Sequence, residues 1–201
     1  FGYLMDQTAS YNAGRYGGVL RAPMKYVGTK TFDVNGADNT PAGGNPAAEW
    51  NATTGVFAAN PDGDTTQATP ISGVINYLNK FGRTGPVPGR YKRFDPVGEL
   101  HYETVRYLQG LQPSADAVSG ITPAMSDGYP VFTTWADPYD GRSNEADYSC
   151  VKSNIVVVGD TNTHDGGRLP TASVANNIPD IADWRSIANK FEKNSSGTYT
   201  D

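Results

Sequence analysis

Apolar positions along this chain fall into short clusters separated by long polar stretches rich in glycine and proline. Their spacing predicts three helices and several strands. Over 70–81, Ile71, Val74, Ile75, Leu78 and Phe81 recur at helical intervals and form one stripe, behind a Thr69-Pro70 start signal. Over 96–111, Val97, Leu100, Val105, Leu108 and Leu111 form a second stripe, and Asp95 before Pro96 reads first as an N-cap. Ile181, Trp184, Ala188 and Phe191 give a third, opened by Asp180 with Asp183 three residues on. Residues 1–7 and 19–28 read as strands around a turn at 12–18, because Tyr3, Leu4, Val19, Leu20, Tyr26 and Val27 are β-formers. The strongest strand signal is Asn154-Ile155-Val156-Val157-Val158. A β-branched run without alternation fits a strand covered on both faces, as in a parallel sheet. The prediction is an α/β fold with large insertions.

Residues 31–69 are expected to be an acidic, low-complexity surface insertion with one short strand near 50–57. No Lys or Arg occurs between Lys30 and Lys80, whereas Asp33, Asp38, Glu49, Asp62 and Asp64 all do. With 23 Gly and 14 Pro in 201 residues the chain is loop-rich, yet 37% hydrophobic content suffices for a core. A net charge of −5 does not propose nucleic acid as a partner. The basic, aromatic run at 80–93 (Lys80, Phe81, Arg83, Arg90, Tyr91, Lys92, Arg93) reads as a solvated loop or a charge match to the acidic insertion.

Candidate chemistry is sparse. Cys150 is the only cysteine, which excludes an internal disulfide and a cysteine-rich zinc site. His101 and His164 are too few for a histidine-rich metal centre, and His101 reads as structural beside the apolar stripe. Cys150 and His164 flank the 154–158 run, roughly 30 Å apart at about 3.3 Å per residue for the nine or so extended residues involved, too far for a catalytic pair. There is no Gly-x-Ser-x-Gly elbow and no phosphate-binding Gly-x-x-x-x-Gly-Lys loop, so the chain is read as non-enzymatic. Asp160, directly after the predicted strand, is placed to offer a carboxylate to a hard cation, with Thr161, Asn162 and Asp165 supplying oxygens nearby. The competing reading is an Asx turn ending the strand. Asn60-Pro61-Asp62-Gly63-Asp64 reads as a tight turn. No apolar run is long enough to span a bilayer. No leader is evident, and the opening Phe1-Gly2-Tyr3-Leu4-Met5 reads as an interior strand, so a piece of a longer protein is expected.

Three segments in order carry a resemblance. They are Asp95-Pro96-Val97-Gly98-Glu99-Leu100 through Arg106-Tyr107-Leu108, then Tyr129-Pro130-Val131-Phe132-Thr133-Thr134-Trp135-Ala136-Asp137-Pro138, then Cys150-Val151-Lys152-Ser153-Asn154 running into Asp160. Together with the first five residues and Ser72-Gly73-Val74-Ile75-Asn76-Tyr77-Leu78, this order resembles the N-terminal region of PilC/PilY-type proteins, the tip adhesins and biogenesis factors of type IV pili. The resemblance implies a von Willebrand factor A-like (Rossmann-like) sheet flanked by helices, here a single partial domain over 1–201. It also implies a metal-ion-dependent adhesion site for Mg or Ca. Asp160 matches that site's third-loop aspartate, Thr161 stands beside it, and Asp95 occupies the position of the second-loop threonine. The family's Asp-x-Ser-x-Ser loop has no counterpart, so the first central strand is expected to be missing from this chain, leaving unpaired strand edges.

The implied function is that of an extracellular, pilus-associated adhesin component supporting adhesion and pilus assembly. Its partners would be pilin or minor pilin subunits, the remainder of a larger adhesin polypeptide, and a host or surface ligand. The rival reading is a soluble carbohydrate- or calcium-binding surface module, with the insertion and an exposed Trp50 as its binding face. A hydrolase built on Asp160 and His164 stands third.

Overall fold

A computed structural model describes residues 1–5, 13–80, 96–140 and 151–158, together with Leu169. The chain divides into two compact units, Phe1–Gly167 and Arg168–Asp201. All of the elements below belong to the first. The helix expected around 181–191 lies outside the described residues, as do Phe81 and the basic run that follows it.

Strands β1 (Gly2–Met5) and β2 (Ala13–Val19) form an antiparallel pair, with Gly2 opposite Val19 and Leu4 opposite Tyr16. The second strand therefore precedes the stretch expected from sequence and ends where 19–28 was to begin. Pro23 has no N–H for a ladder. From Arg21 onward the chain leaves the sheet, and Leu20 makes only a single bridge, to Phe132.

Four helices follow: α1 (Val74–Lys80), α2 (Val97–Leu108), α3 (Ala115–Val118) and α4 (Pro123–Ser126). Ser114 caps α3 by accepting the Ala117 N–H, and Thr122-Pro123 opens α4 with proline at its first turn. The core has two parts. Leu4, Val19 and Ala117 are buried together, with Val118, Ile121, Met125 and Val131 packed around them. Leu20, Tyr107 and Trp135 form the second, joined by Phe1 and Phe132. There the rings of Phe1, Tyr107 and Trp135 meet edge to face at 5.5–5.6 Å. Trp135 is fixed from outside the core by Gln112, whose side chain accepts the Trp135 N–H at 3.0 Å and donates to its carbonyl at 2.8 Å.

The helices sit close to where periodicity placed them, but their buried faces differ. In α2 the buried residues are Glu99, Glu103 and Tyr107, one turn apart, while Leu100, Val105 and Leu108 are half-buried. The reason lies across the interface. Gly18 of β2 faces this stripe without a side chain, and a Cβ there would fall 2.4 Å from Glu103 Cγ and 2.5 Å from the Glu99 carbonyl oxygen. The helix thus approaches the strand backbone more closely than a leucine stripe would permit. Of the stripe expected over 70–81, Ile71 precedes α1 and is exposed, and Leu78 is exposed on the helix.

Residues 31–69 are a run of turns tied to residues 26–28, and the strands expected near 50–57 and at 154–158 are corrected. Asn45 Nδ2 donates to the carbonyls of Tyr26 and Gly28, and the Glu49 N–H donates to the Val27 carbonyl. The strand near 50–57 reduces to one bridge, Trp50 with Phe57, and Trp50 is half-buried beside Gly28 rather than exposed. Residues 154–158 form no strand, and Val156 is 83% exposed. β-Propensity reflects packing against neighbouring strands, and no described strand lies beside this run.

Candidate functional site

A buried charge has to be paired or hydrogen-bonded, because an isolated ion loses several kcal/mol of hydration. Where such groups are found therefore shows what a fold has been built around. Among the described residues they gather at three places.

The first joins the insertion to α1. Glu49 is 1% exposed, and its two oxygens accept the N–H groups of Val74 and Ile75, each at 2.7 Å. It thus satisfies orphan donors in the first turn of α1 and meets the positive end of the helix dipole. Lys25 Nζ lies 3.1 Å from Glu49 Oε1 and also contacts Asp62 Oδ1 directly. Its side chain is 11% exposed and that of Asp62 is 2% exposed. The surrounding turn is held by Asn60, whose Oδ1 accepts the Asp64 N–H and the Ser72 hydroxyl, while Ser72 Oγ accepts the Asp62 N–H. The second oxygens of Asp62 and Asp64 are buried without a hydrogen-bond partner. Gly73 makes this convergence possible. It sits at φ +98°, and a Cβ there would lie 3.0 Å from Glu49 Oε1 and 2.6 Å from Pro61 Cγ.

The second place is the α2 stripe. Glu103 is fully buried, accepting the Ser114 N–H at 3.1 Å and the Ser114 hydroxyl, so the residue that caps α3 is itself held by α2. Arg106 Nε stands 4.0 Å from the same carboxylate. The third is Arg21, 2% exposed, whose guanidinium donates to the carbonyls of Ser126, Tyr129 and Tyr3 and lies 5.7 Å from the Tyr77 ring centroid. Burial lowers its pKa, opposed by Tyr77 and Asp127. Near it, Lys80 pairs with Asp127 at 2.7 Å and lies over the Tyr129 ring.

Asp95, Asp160 and Thr161 lie outside the described residues, as do Cys150, Asn162, His164 and Asp165. Among the described residues no three His, Cys, Asp or Glu side chains converge to hold a metal ion. His101 is exposed on α2 rather than set against the core. The turn expected at 60–64 is present, but its carboxylates face inward. Lys25 escaped the sequence reading, and Glu49 entered it only as one negative charge of the insertion. The available signal was the setting of Glu49 in Ala47-Ala48-Glu49-Trp50, a lone acid among apolar neighbours.

Of the segments that carried the sequence resemblance, those around Ser72–Leu78, Asp95–Leu108 and Tyr129–Pro138 contribute to this frame, whereas the described residues 151–158 are exposed. Trp135 is core, Glu99 and Tyr107 are the buried stripe, and Gly73 is the approach to Glu49. Over residues 1–199 the chain matches the family described as the second domain of PilY1 homologs. It is 38% identical over 169 residues to the type IV pilus biogenesis factor PilY1 homolog of Xylella fastidiosa (strain Temecula1), covering 77% of this chain and 13% of that protein. No solved structure matches.

Proposed function

Because the chain belongs to the PilY1-homolog family, we propose that it acts within a type IV pilus biogenesis factor, as a non-enzymatic module supporting pilus assembly and adhesion outside the cell. The observation that carries this reading is the family match over nearly the whole chain. Two structural features support it. The described buried charges are taken up in holding elements together, in Glu49 on α1 and Glu103 on Ser114. The apolar surface left over is exposed, at Met24, Val34, Val56, Phe57 and Val151–Val158. No helix of the described residues is long and apolar enough to cross a membrane.

The finer part of the reading rests on the sequence resemblance. It is a von Willebrand factor A-like fold in which Asp160, with Thr161 and Asp95, offers oxygen ligands to Mg or Ca. Pilin or minor pilin subunits, the rest of a longer polypeptide and a surface ligand would be its partners. The test is made in the full-length protein that carries this chain, in its own host. Asp160→Ala is expected to remove divalent-cation binding measured by calorimetry; unchanged affinity refutes the cation assignment. Deletion of the segment is expected to reduce sheared surface pilin and adhesion, and wild-type levels of both would refute the pilus role.

A further inference from the structure

Lys25, Glu49 and Asp62 meet in a nearly dry pocket in an order that suits a covalent reaction. An amine and a carboxyl group are in direct contact, with a second carboxylate 3.1 Å from the amine nitrogen. We propose that Lys25 and Asp62 are joined by an intramolecular isopeptide bond, with Glu49 carrying the protons.

Proton transfer along the Lys25–Asp62 contact gives a neutral amine and a neutral carboxyl group, the reactive forms of each. Nζ then attacks Asp62 Cγ. Glu49 Oε1, already within hydrogen-bond reach of Nζ, takes a proton from the nitrogen and returns it to the departing oxygen. One N–C bond forms, one C–O bond breaks, and two of the three ammonium protons leave with that oxygen as water. No oxidant or reductant is required. Holding the two groups in contact replaces a bimolecular encounter, worth an effective concentration on the order of 10⁵ M or more in well-oriented cases.

The surroundings suit the product better than the ion pair. The departing oxygen is Asp62 Oδ1, the one the amine contacts, and the amide replaces a buried ammonium and a buried carboxylate by one neutral group. Glu49 Oε1, 3.1 Å from Nζ, is placed to accept the new amide N–H. The positions are set by groups outside the reaction. Glu49 is held by the Val74 and Ile75 N–H groups, and the Asp62 backbone N–H by Ser72 Oγ at 2.9 Å. A bond between residues 37 apart would clamp most of the insertion into a covalent ring.

The test needs only the wild-type protein, denatured and digested with trypsin. The expected product joins the peptide from Ala22 to Lys30, uncut at Lys25, to the peptide from Thr31 to Lys80, at their summed mass less one water. Recovery of both peptides separately, with cleavage at Lys25 and full mass, overturns the proposal and leaves an ion pair. Asp62→Asn gives a second reading, since its crosslink would form with loss of ammonia instead of water. Asp62→Ala is expected to yield only unlinked peptides, and a linked product from it would place the bond elsewhere and also overturn the assignment.

Discussion

Replacing Gly18 by alanine tests the close approach of α2 to β2. The added Cβ would fall 2.4 Å from Glu103 Cγ, 2.7 Å from Glu103 Cβ and 2.5 Å from the carbonyl oxygen of Glu99. The glutamate methylenes belong to a fully buried side chain, and the carbonyl is helix backbone, so neither can swing aside. Strand and helix must separate by about 1 Å to restore ordinary van der Waals distances. That movement loosens Tyr107 from the aromatic cluster and Glu103 from Ser114. Overpacking of a tight core costs typically 1–3 kcal/mol, and contact with backbone places this case near the top, at about 3 kcal/mol. For a chain of this size the melting temperature should fall by roughly 6–12 °C. Gly43→Ala is the matched control, because nothing lies within 4 Å of its added Cβ; its stability should stay within about 0.5 kcal/mol of wild type. Thermal unfolding followed by circular dichroism compares the three proteins directly. If Gly18→Ala melts with wild type, α2 is not seated on β2 at this distance and the account of the buried glutamates fails.

Two other outcomes follow from the charged groups. Glu103→Ala should destabilise by about 3 kcal/mol through a cavity and the loss of its hydrogen bonds to Ser114, whereas Glu103→Gln keeps an acceptor and should cost about 1 kcal/mol in urea unfolding; equal losses would refute the hydrogen-bonding role. The hydrogen bond from Lys30, followed by those from Thr40, holds the Asp38 carboxyl well below the ordinary carboxylate range. A depressed folded-state pKa means its contribution is present above the ordinary value of 3.8 and is lost as pH falls through the folded pKa. Carbon-detected NMR titration should find Asp38 still ionised at pH 3.8 in wild type and its midpoint shifted upward in Lys30→Ala, and an unchanged midpoint in the variant would refute the cause.

Periodicity located α1 and α2, and β-propensity located β1, because these signals are local; β2 instead occupies 13–19, where a turn was expected. What periodicity misjudged was which side of each helix goes inward. Glu99 and Glu103 stand outside the predicted apolar stripe, since their burial depends on a glycine some eighty residues earlier in the chain and on Ser114 arriving to hydrogen-bond one of them. The same limit applies to the insertion. Its Asn, Gly and Pro content predicted turns correctly, but nothing local showed that Glu49 would reach the N–H groups of Val74 and Ile75. Conversely, Ile155–Val158 carries all the local marks of a buried strand and is exposed, because a strand is defined by its neighbour. The resemblance was legible because it depended on the order of several motifs rather than on any one contact, and the comparison over residues 1–199 agrees with it.

The setting of Arg21 constrains the order in which this chain can fold. Its guanidinium is satisfied in part by the carbonyls of Ser126, Tyr129 and Pro130, which lie 105, 108 and 109 residues further along. Stripping water from the cation before those carbonyls arrive would leave a charge uncompensated, so its burial and the docking of 126–130 belong to one step. That step closes a long loop, the slow part of folding. During synthesis, β1, β2, α1 and α2 all leave the ribosome before their electrostatic keystone can be set. A nascent chain that stops short of Pro130 holds the sequence of most of the described elements but lacks the acceptors that let Arg21 go under.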